Sequence, residues 1–172
     1  MATGNTLLLI TPLDNVPPAT LGATLDYMVG TSTPVESIPV LDFDDTTVEY
    51  ADFYCVMPSN YAAGGVTITF FWSQALATNT VVLSAAFRRV ADDAEDLDTT
   101  AQTYDYNLTG ALTPPSVAGE VAYDTLTFTD GADMDSVTAG DYFILRVRRV
   151  PTDGNDTSVG DTSIHAIQIK ET

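Results

Sequence analysis

The chain has 172 residues, and its 24 Asp and Glu residues against 6 Lys and Arg residues give a formal net charge of −18. Such a charge repels phosphate backbones and anionic lipid surfaces, so we expect neither nucleic acid nor a membrane among its partners. With a single cysteine, Cys55, an intrachain disulfide is excluded, and the single histidine, His165, has no second histidine to complete a metal site.

Alternation of apolar and polar residues, which is the pattern of a half-buried strand, recurs along the whole chain. It is clearest at residues 66–72, where Val66, Ile68, Phe70 and Trp72 share one face. Residues 92–97 are predicted as a loop rather than a helical turn. In chain order we predict strands at Thr6–Thr11, Thr24–Val29, Ile38–Phe43, Glu49–Met57, Val66–Trp72, Thr80–Val90, Ala101–Leu108, Glu120–Thr129, Asp141–Val150 and Ser163–Lys170.

About ten short antiparallel strands with frequent turns predict an all-β fold, a jelly-roll-like β-sandwich. Without an internal repeat or a break in composition, residues 1–172 are predicted to form a single domain. Pro12, Pro17 and Pro18 interrupt the apolar start, so residues 1–30 are either an edge strand followed by a loop or a subunit-linking arm. The first residues lack the basic region and long apolar run of a cleavable signal, and no stretch approaches the roughly 20 apolar residues of a membrane span.

Few residues suggest chemistry. Cys55 and Trp72 fall on apolar strand faces and are predicted to lie in the core, and His165 is predicted to be structural. No nucleophile-elbow motif occurs. Carboxylates such as Asp42, Asp44 and Asp45 are too abundant for any pair of them to indicate a glycosidase. We therefore assign no catalytic residue and no cofactor-binding residue.

Acidic loops raise the question of a metal ion. Closely spaced oxygen ligands suit Ca²⁺, but the EF-hand pattern is missing, so we predict solvated turns and assign no metal ligand. Ca²⁺ stays the alternative. The loops contain Asp92–Asp96, then Asp130, Asp133 and Asp135, then Asp153, Asn155, Asp156 and Asp161. The triplets that start at Asn107 and Asn155 match the glycosylation motif, and whether they are glycosylated is left open.

The arginines lie within predicted strands. Arg88, Arg89, Arg146, Arg148 and Arg149 are surrounded by an excess of carboxylates, so each guanidinium is expected to find a partner. Two interpretations stay open: the partner lies across the sheet in the same chain, or it lies in an acidic turn of a neighbouring subunit.

The order of several motifs resembles a group of uncharacterised proteins that are encoded beside virion genes in tailed bacteriophages. The motifs are residues 53–61 (FYCVMPSNY), 64–72 (GGVTITFFW), 86–90 (AFRRV) and 139–149, followed by residues 155–161 before a last strand. The resemblance runs from about Leu41 onward. It implies a β-sandwich subunit of a particle or fibre without enzymatic activity, and it implies no residue roles.

We therefore predict a self-assembling structural subunit of a phage-related virion or extracellular helical fibre, whose partners are copies of itself and possibly other virion proteins. Assembly would use the N-terminal segment and arginine–carboxylate pairs. A carbohydrate-binding module or adhesin is the alternative, with an exposed aromatic patch around Trp72 or around Tyr104 and Tyr106. A glycoside hydrolase is the second alternative.

Overall fold

The computed structural model describes residues 4–99 and 101–172. None of the helical segments in these ranges has the length and apolar character needed to span a bilayer. Two short 3-10 turns occur, at Pro12–Asp14 and Ala132–Met134. The strands are β1 (Thr6–Ile10), β2 (Thr24–Val29), β3 (Ser37–Phe43), β4 (Tyr50–Val56), β5 (Val66–Gln74), β6 (Leu83–Val90), β7 (Asn107–Leu108), β8 (Ala122–Phe128), β9 (Tyr142–Arg149) and β10 (Thr162–Glu171).

The strands form two antiparallel sheets. Sheet A has the order β2-β3-β10-β5-β8, and β1 pairs with β10 beside this path. Sheet B has the order β4-β9-β6-β7. The predicted all-β, jelly-roll-like sandwich of about ten antiparallel strands is confirmed, although the strand predicted at residues 101–108 is reduced to Asn107–Leu108.

The core lies between the sheets because alternate residues of each strand point inward. Val66, Ile68, Phe70 and Trp72 of β5 are all fully buried, as the alternation predicted. Burying one such side chain contributes roughly 1.5–3 kcal/mol. The Trp72 indole Nε1 donates a hydrogen bond to Asp124 Oδ2 at 2.8 Å, so its one polar atom is satisfied.

The N-terminal segment contributes two strands to this chain's own sheet A. β1 pairs with β10 from Thr6 to Ile10, and β2 pairs with β3 along its full length. Ile10 is buried in the core. The edge-strand interpretation thus describes residues 4–30, whereas residues 1–3 lie outside the described ranges, and a linking role between subunits stays a prediction.

The hairpin of β2 and β3 folds over the outer face of sheet A. β3 pairs with β10 only through residues 41–43, and the hairpin continues beyond this point. Val40 and Ser73 lie outside the core cluster, yet each is only 1% exposed. Met28 of β2 accounts for part of this burial because its Sδ lies 4.0 Å from Ser73 Oγ. The hairpin therefore forms a wall along one side of the outer face of sheet A.

Four of the five arginines find a carboxylate partner within the chain. On β9, Arg146 donates two hydrogen bonds of 2.6 Å to the carboxylate of Asp52 on the neighbouring strand β4. Arg149, which is fully buried, pairs with Asp156 at 2.8 Å. Further intrachain pairs join Arg88 to Glu95 and Arg89 to Asp141. These contacts match the intrachain interpretation for four arginines, whereas Arg148 donates only to Ser84 Oγ, at 3.4 Å, and has no carboxylate partner in the described residues.

Residues 91–99 and 101–106 pack on the outer face of sheet B. The Arg146 guanidinium lies 4.1 Å from the ring centroid of Tyr104, and that of Arg148 lies 3.6 Å from the ring centroid of Tyr106. Cation–π contacts of this kind contribute about 0.5–2 kcal/mol each. In residues 101–106 these side-chain contacts take the place of the backbone pairing that was predicted for residues 101–108.

Candidate functional site

The outer face of sheet A combines aromatic and hydrogen-bonding side chains. Because Phe70 and Trp72 point inward, Phe71 between them points outward. Tyr123 of β8 lies directly opposite Phe71 and shares its face. We call this face the sheet A groove. It is formed by Met28, Asp42, Thr69, Phe71, Ser73, Tyr123, Thr125, Ser163, His165 and Gln168.

Two aromatic rings stand on one side of the groove. Tyr123 is 68% exposed, more than any other aromatic side chain among the exposed hydrophobic residues of the described strands. Its ring centroid lies 4.5 Å from that of Phe71, and the two planes are tilted by 58°. This tilted arrangement is a favourable one for aromatic pairs, so Phe71 supports the Tyr123 ring from below while one face of the tyrosine is left open.

A histidine lies on the floor of the groove. The pairing of β10 with β5 is irregular between Ile164 and Ala166, so His165 sits at a bulge. Its Nε2 is 2.8 Å from Ser73 Oγ. Burial lowers the pKa of His165, and the charge of Asp42 opposes this only in part. Near neutral pH the ring is therefore uncharged, with one nitrogen able to donate and the other able to accept a hydrogen bond.

Asp42 adds a carboxylate beside the histidine. Burial raises the pKa of Asp42, the hydrogen bond from Ser163 Oγ lowers it, and the nearby charges of Asp26 and Asp161 raise it further. One of its oxygens accepts the Ser163 hydroxyl. A carboxylate with free acceptor capacity next to an imidazole is suited to the hydroxyl groups of a polar, uncharged ligand.

The segment before β8 closes one end of the groove. The Gly119 N–H donates a hydrogen bond to the Gln74 carbonyl oxygen at 3.0 Å. A Cβ atom at Gly119 would lie 3.9 Å from Met28 Cε, so the segment and the hairpin meet there. Gly119 has a φ of 82°, which side chains other than glycine rarely adopt. The groove is thus bounded by the hairpin, by this segment and by Tyr123.

Of the residues weighed from the sequence, His165 and Asp42 lie in the groove, whereas the aromatic residues and Cys55 lie elsewhere. Trp72 is fully buried, which confirms the core prediction and leaves no aromatic patch around it. The rings of Tyr104 and Tyr106 are covered by arginines. Cys55 is half-buried rather than buried, and burial raises its pKa to about 11, so the thiolate is scarce at neutral pH.

In the acidic loops, the carboxylates mainly accept hydrogen bonds from nearby groups of the same chain. Asp133 Oδ2 accepts the backbone N–H of Thr129, and Asp135 accepts that of Arg89. In the described residues, the carboxylate oxygens of Asp44, Asp45 and Asp161 come within 4.8 Å of one another. Hydrogen bonds from Thr46 and Thr47 lower the pKa of Asp44 to about 2. A cluster of exposed acidic side chains is common on such a surface, and we assign no metal to it.

No protein-family model matches the chain, and no curated protein sequence matches it. Solved structures do match. The CBM22-1 xylan-binding domain of Xyn10C from Paenibacillus barcinonensis superposes with a TM-score of 0.52 at 10% identity, over 99% of this chain and 97% of that one. The CBM22-2 xylan-binding domain of the same enzyme gives a TM-score of 0.52 at 13% identity, over 96% and 99%.

A third structure holds a similar domain next to an enzyme module. It contains the CBM22-1 and GH10 modules of Clostridium thermocellum xylanase 10B complexed with xylohexaose. It matches with a TM-score of 0.52 at 8% identity, over 100% of this chain and 29% of that one. At such low identity these likenesses establish a common fold.

The comparisons overturn the predicted virion or fibre subunit. That prediction was based on a jelly-roll-like fold combined with a resemblance to phage proteins, and the fold turns out to be one that xylan-binding domains have. The prediction of a self-assembling structural subunit is therefore wrong, and the fold favours the carbohydrate-binding alternative. The resemblance to phage proteins and an association with copies of the chain stay predictions.

The aromatic residues of the groove were missed, although a signal for them was present. In residues 122–128, Leu126 and Phe128 are the inward-facing positions, so the same alternation places Tyr123 outward. The same alternation could have shown that an outward-facing tyrosine on one strand and an outward-facing phenylalanine on another share a face. The wall formed by Met28 could not, because it depends on the point at which β3 leaves β10.

Proposed function

We propose that this protein is a carbohydrate-binding module that holds a neutral polysaccharide in the sheet A groove. The observation that carries the proposal is the exposed ring of Tyr123, supported by Phe71, on a sheet face that is otherwise lined by hydrogen-bonding side chains. The fold shared with xylan-binding domains supports it as well.

Each part of the groove has a role in this proposal. The aliphatic C–H face of a sugar ring packs against the open face of Tyr123, which removes apolar surface from water. Sugar hydroxyls then donate hydrogen bonds to the Asp42 carboxylate and exchange hydrogen bonds with the uncharged His165 ring, which both lie at the floor. Met28 bounds the opposite side and limits the width that a ligand can have.

The charges around the groove favour an uncharged ligand. Asp26 and Asp42 lie at this face, and the whole chain carries a net charge of −18. Lys170 on β10 is the one cationic side chain that the strand pattern places on the same face in the described residues. A polysaccharide of uronic acids would meet repulsion here, whereas a neutral chain would not.

We further propose that the module does not catalyse a reaction. Its fold neighbours are described as xylan-binding domains, and the enzyme module in the third structure is a separate part of that chain. Asp42 accepts a hydrogen bond from Ser163 and lies beside an uncharged imidazole, an arrangement that suits ligand binding.

Affinity electrophoresis tests the proposal. Native gels that contain xylan, mixed-linkage β-glucan, mannan or galactan are expected to retard the wild-type protein in at least one case. Tyr123→Ala should weaken that retardation roughly tenfold, since the loss of one aromatic contact of about 1.4 kcal/mol corresponds to that factor. Tyr27→Ala is the matched control, because Tyr27 is 48% exposed but alternates with Met28 and points away from the groove.

Two results would contradict this proposal. One is a wild-type protein that none of the four polysaccharides retards. The other is a Tyr123→Ala variant that is retarded as strongly as the wild type in a gel to which the wild type binds.

A further inference from the structure

The outer face of sheet B carries a second exposed aromatic pair, on the opposite side of the sandwich from the sheet A groove. Tyr54 of β4 is 46% exposed and Tyr142 of β9 is 38% exposed. Their ring centroids lie 6.4 Å apart, and the ring planes differ by only 28°. The two rings thus form an offset, nearly parallel pair that is open to solvent.

This pair lies where the covering segment ends. Residues 91–99 and 101–106 cover the rows of sheet B that contain Arg146 and Arg148, and the neighbouring Ile144 is only 4% exposed. The next positions outward on the same face are Tyr54, Tyr142 and Val56, and Val56 is 56% exposed. The aromatic pair is therefore the uncovered part of a face whose other half is packed.

A cleft adjoins each tyrosine. One cleft, of about 520 Å³, is lined by residues 90–93 and 140–142, and it begins at Tyr142. The other, of about 240 Å³, is lined by residues 8–10, 14 and 53–56, and it includes Tyr54. The rings lie between the two clefts, so the surface suits a ligand that is extended rather than compact.

We propose that Tyr54 and Tyr142 form a second carbohydrate-binding surface, which takes a neutral polysaccharide chain independently of the sheet A groove. Sugar rings would pack on the two tyrosines, and the exposed carboxylates of Asp92 and Asp93 in the adjoining cleft would accept hydrogen bonds from hydroxyl groups. A second copy of the chain is a poorer occupant, because both partners would carry a net charge of −18.

Two surfaces on opposite faces have a joint consequence. A single molecule binds two separate polysaccharide chains and links them, and on a dense polysaccharide it is retained more strongly than either surface alone would allow. The ligand class is that of the proposed function, but none of the residues is shared between the two surfaces, so each can be tested without the other.

Four proteins separate the two surfaces: the wild type, Tyr123→Ala, the double variant Tyr54→Ala/Tyr142→Ala, and the triple variant. Each is run in gels that contain xylan, mixed-linkage β-glucan, mannan or galactan, and thermal unfolding confirms that each is folded. Leu108→Ala is the control, because Leu108 lies on sheet B and is 44% exposed but far from the pair in the sheet order. We expect the double variant to bind roughly tenfold more weakly than the wild type, Tyr123→Ala to keep residual binding, and the triple variant to lose it.

The other outcomes refute one or both of the two proposed binding surfaces. If Tyr123→Ala abolishes binding and the double variant binds like the wild type, the second surface is refuted and the proposed function stands. If only the double variant loses binding, the groove is refuted and the second surface stands. Absence of binding by the wild type refutes both. A dimer in light scattering that depends on Tyr54 and Tyr142 would assign this face to a second copy and overturn the inference.

Discussion

The buried pair of Arg149 and Asp156 illustrates how one side chain can determine stability. Both side chains are almost fully buried, at 0% and 1% exposure. Arg149 also donates to the carbonyl oxygens of Ser158 and Gly160, so it organises the loop that leads into β10. Removal of one member of such a pair leaves the other as an uncompensated charge in the interior.

We predict that Arg149→Ala lowers the free energy of unfolding by about 3–5 kcal/mol. Urea denaturation followed by circular dichroism measures this loss. Arg89→Ala is the control, because the Arg89 side chain in its pair with Asp141 is 38% exposed. Exposed ion pairs contribute at most about 1 kcal/mol to the free energy of unfolding. Equal losses in the two variants would contradict the assignment of Arg149 to the interior.

At the scale of the element, the segment of residues 91–99 and 101–106 depends on side chains rather than on backbone pairing. Among the described residues from 91 to 108, only Asn107 and Leu108 join sheet B through strand pairing. Tyr104 and Tyr106 fix the segment to Arg146 and Arg148, and Glu95 fixes it to Arg88. Such a segment opens more easily than a paired strand.

We predict that the double variant Tyr104→Leu/Tyr106→Leu is cut by a protease within residues 92–99 several times faster than the wild type. Leucine keeps apolar bulk but removes the cation–π contacts, so the change reports on those contacts. Limited proteolysis with mass spectrometry measures it, and Tyr27→Leu is the control. An unchanged cutting rate would mean that other contacts hold the segment.

The strands show how far the sequence predicts this fold. Residues 66–72 alternate so regularly that both the location of the strand and its inward face were predicted, and the strand at residues 141–150 was located as well. The strand predicted at residues 101–108 was largely wrong. Tyrosine-rich alternation resembles a strand locally, and the competing attraction of two arginines from β9 is invisible in the local pattern. The 3-10 turn at Pro12–Asp14 was missed although its signal is local, because Thr11 donates to Asp14 three residues further on and proline occupies the first position of the turn.

The candidate site follows the same rule. The alternation of inward and outward residues along β5 and β8 places Phe71 and Tyr123 on the outer face. The aromatic half of the groove could therefore have been predicted from the sequence. His165 was predicted to be structural, because nothing local indicates the bulge that brings it to Ser73. The wall of the groove depends on long-range pairing, which no local pattern encodes.

At the scale of the whole molecule, the net charge of −18 dominates. The folded chain concentrates this charge in a smaller volume than the unfolded chain, so repulsion opposes folding. Salt screens the repulsion, with a Debye length of about 10 Å at 0.1 M ionic strength. The charge also explains why the ligands proposed for both surfaces are neutral.

We predict that the midpoint of thermal unfolding rises by several degrees between 20 mM and 500 mM sodium chloride, whereas the affinity for a neutral probe such as xylohexaose stays unchanged. Differential scanning calorimetry and isothermal titration measure the two quantities. Choline chloride at equal ionic strength is the control, because it should raise the unfolding midpoint as much as sodium chloride does if charge screening is the cause. A midpoint that falls with salt would contradict the repulsion argument.

The hairpin of β2 and β3 has a practical consequence for redesign. It is anchored to β10 through Leu41, Asp42 and Phe43 only, and the part that carries Met28 extends beyond that anchor. Its tip can thus be exchanged for a longer or shorter one without altering an inward-facing position of the sandwich. A library of variants at this tip would change the width of the space above sheet A while the sandwich stays the same. The hairpin is therefore the place to alter which ligands could fit there.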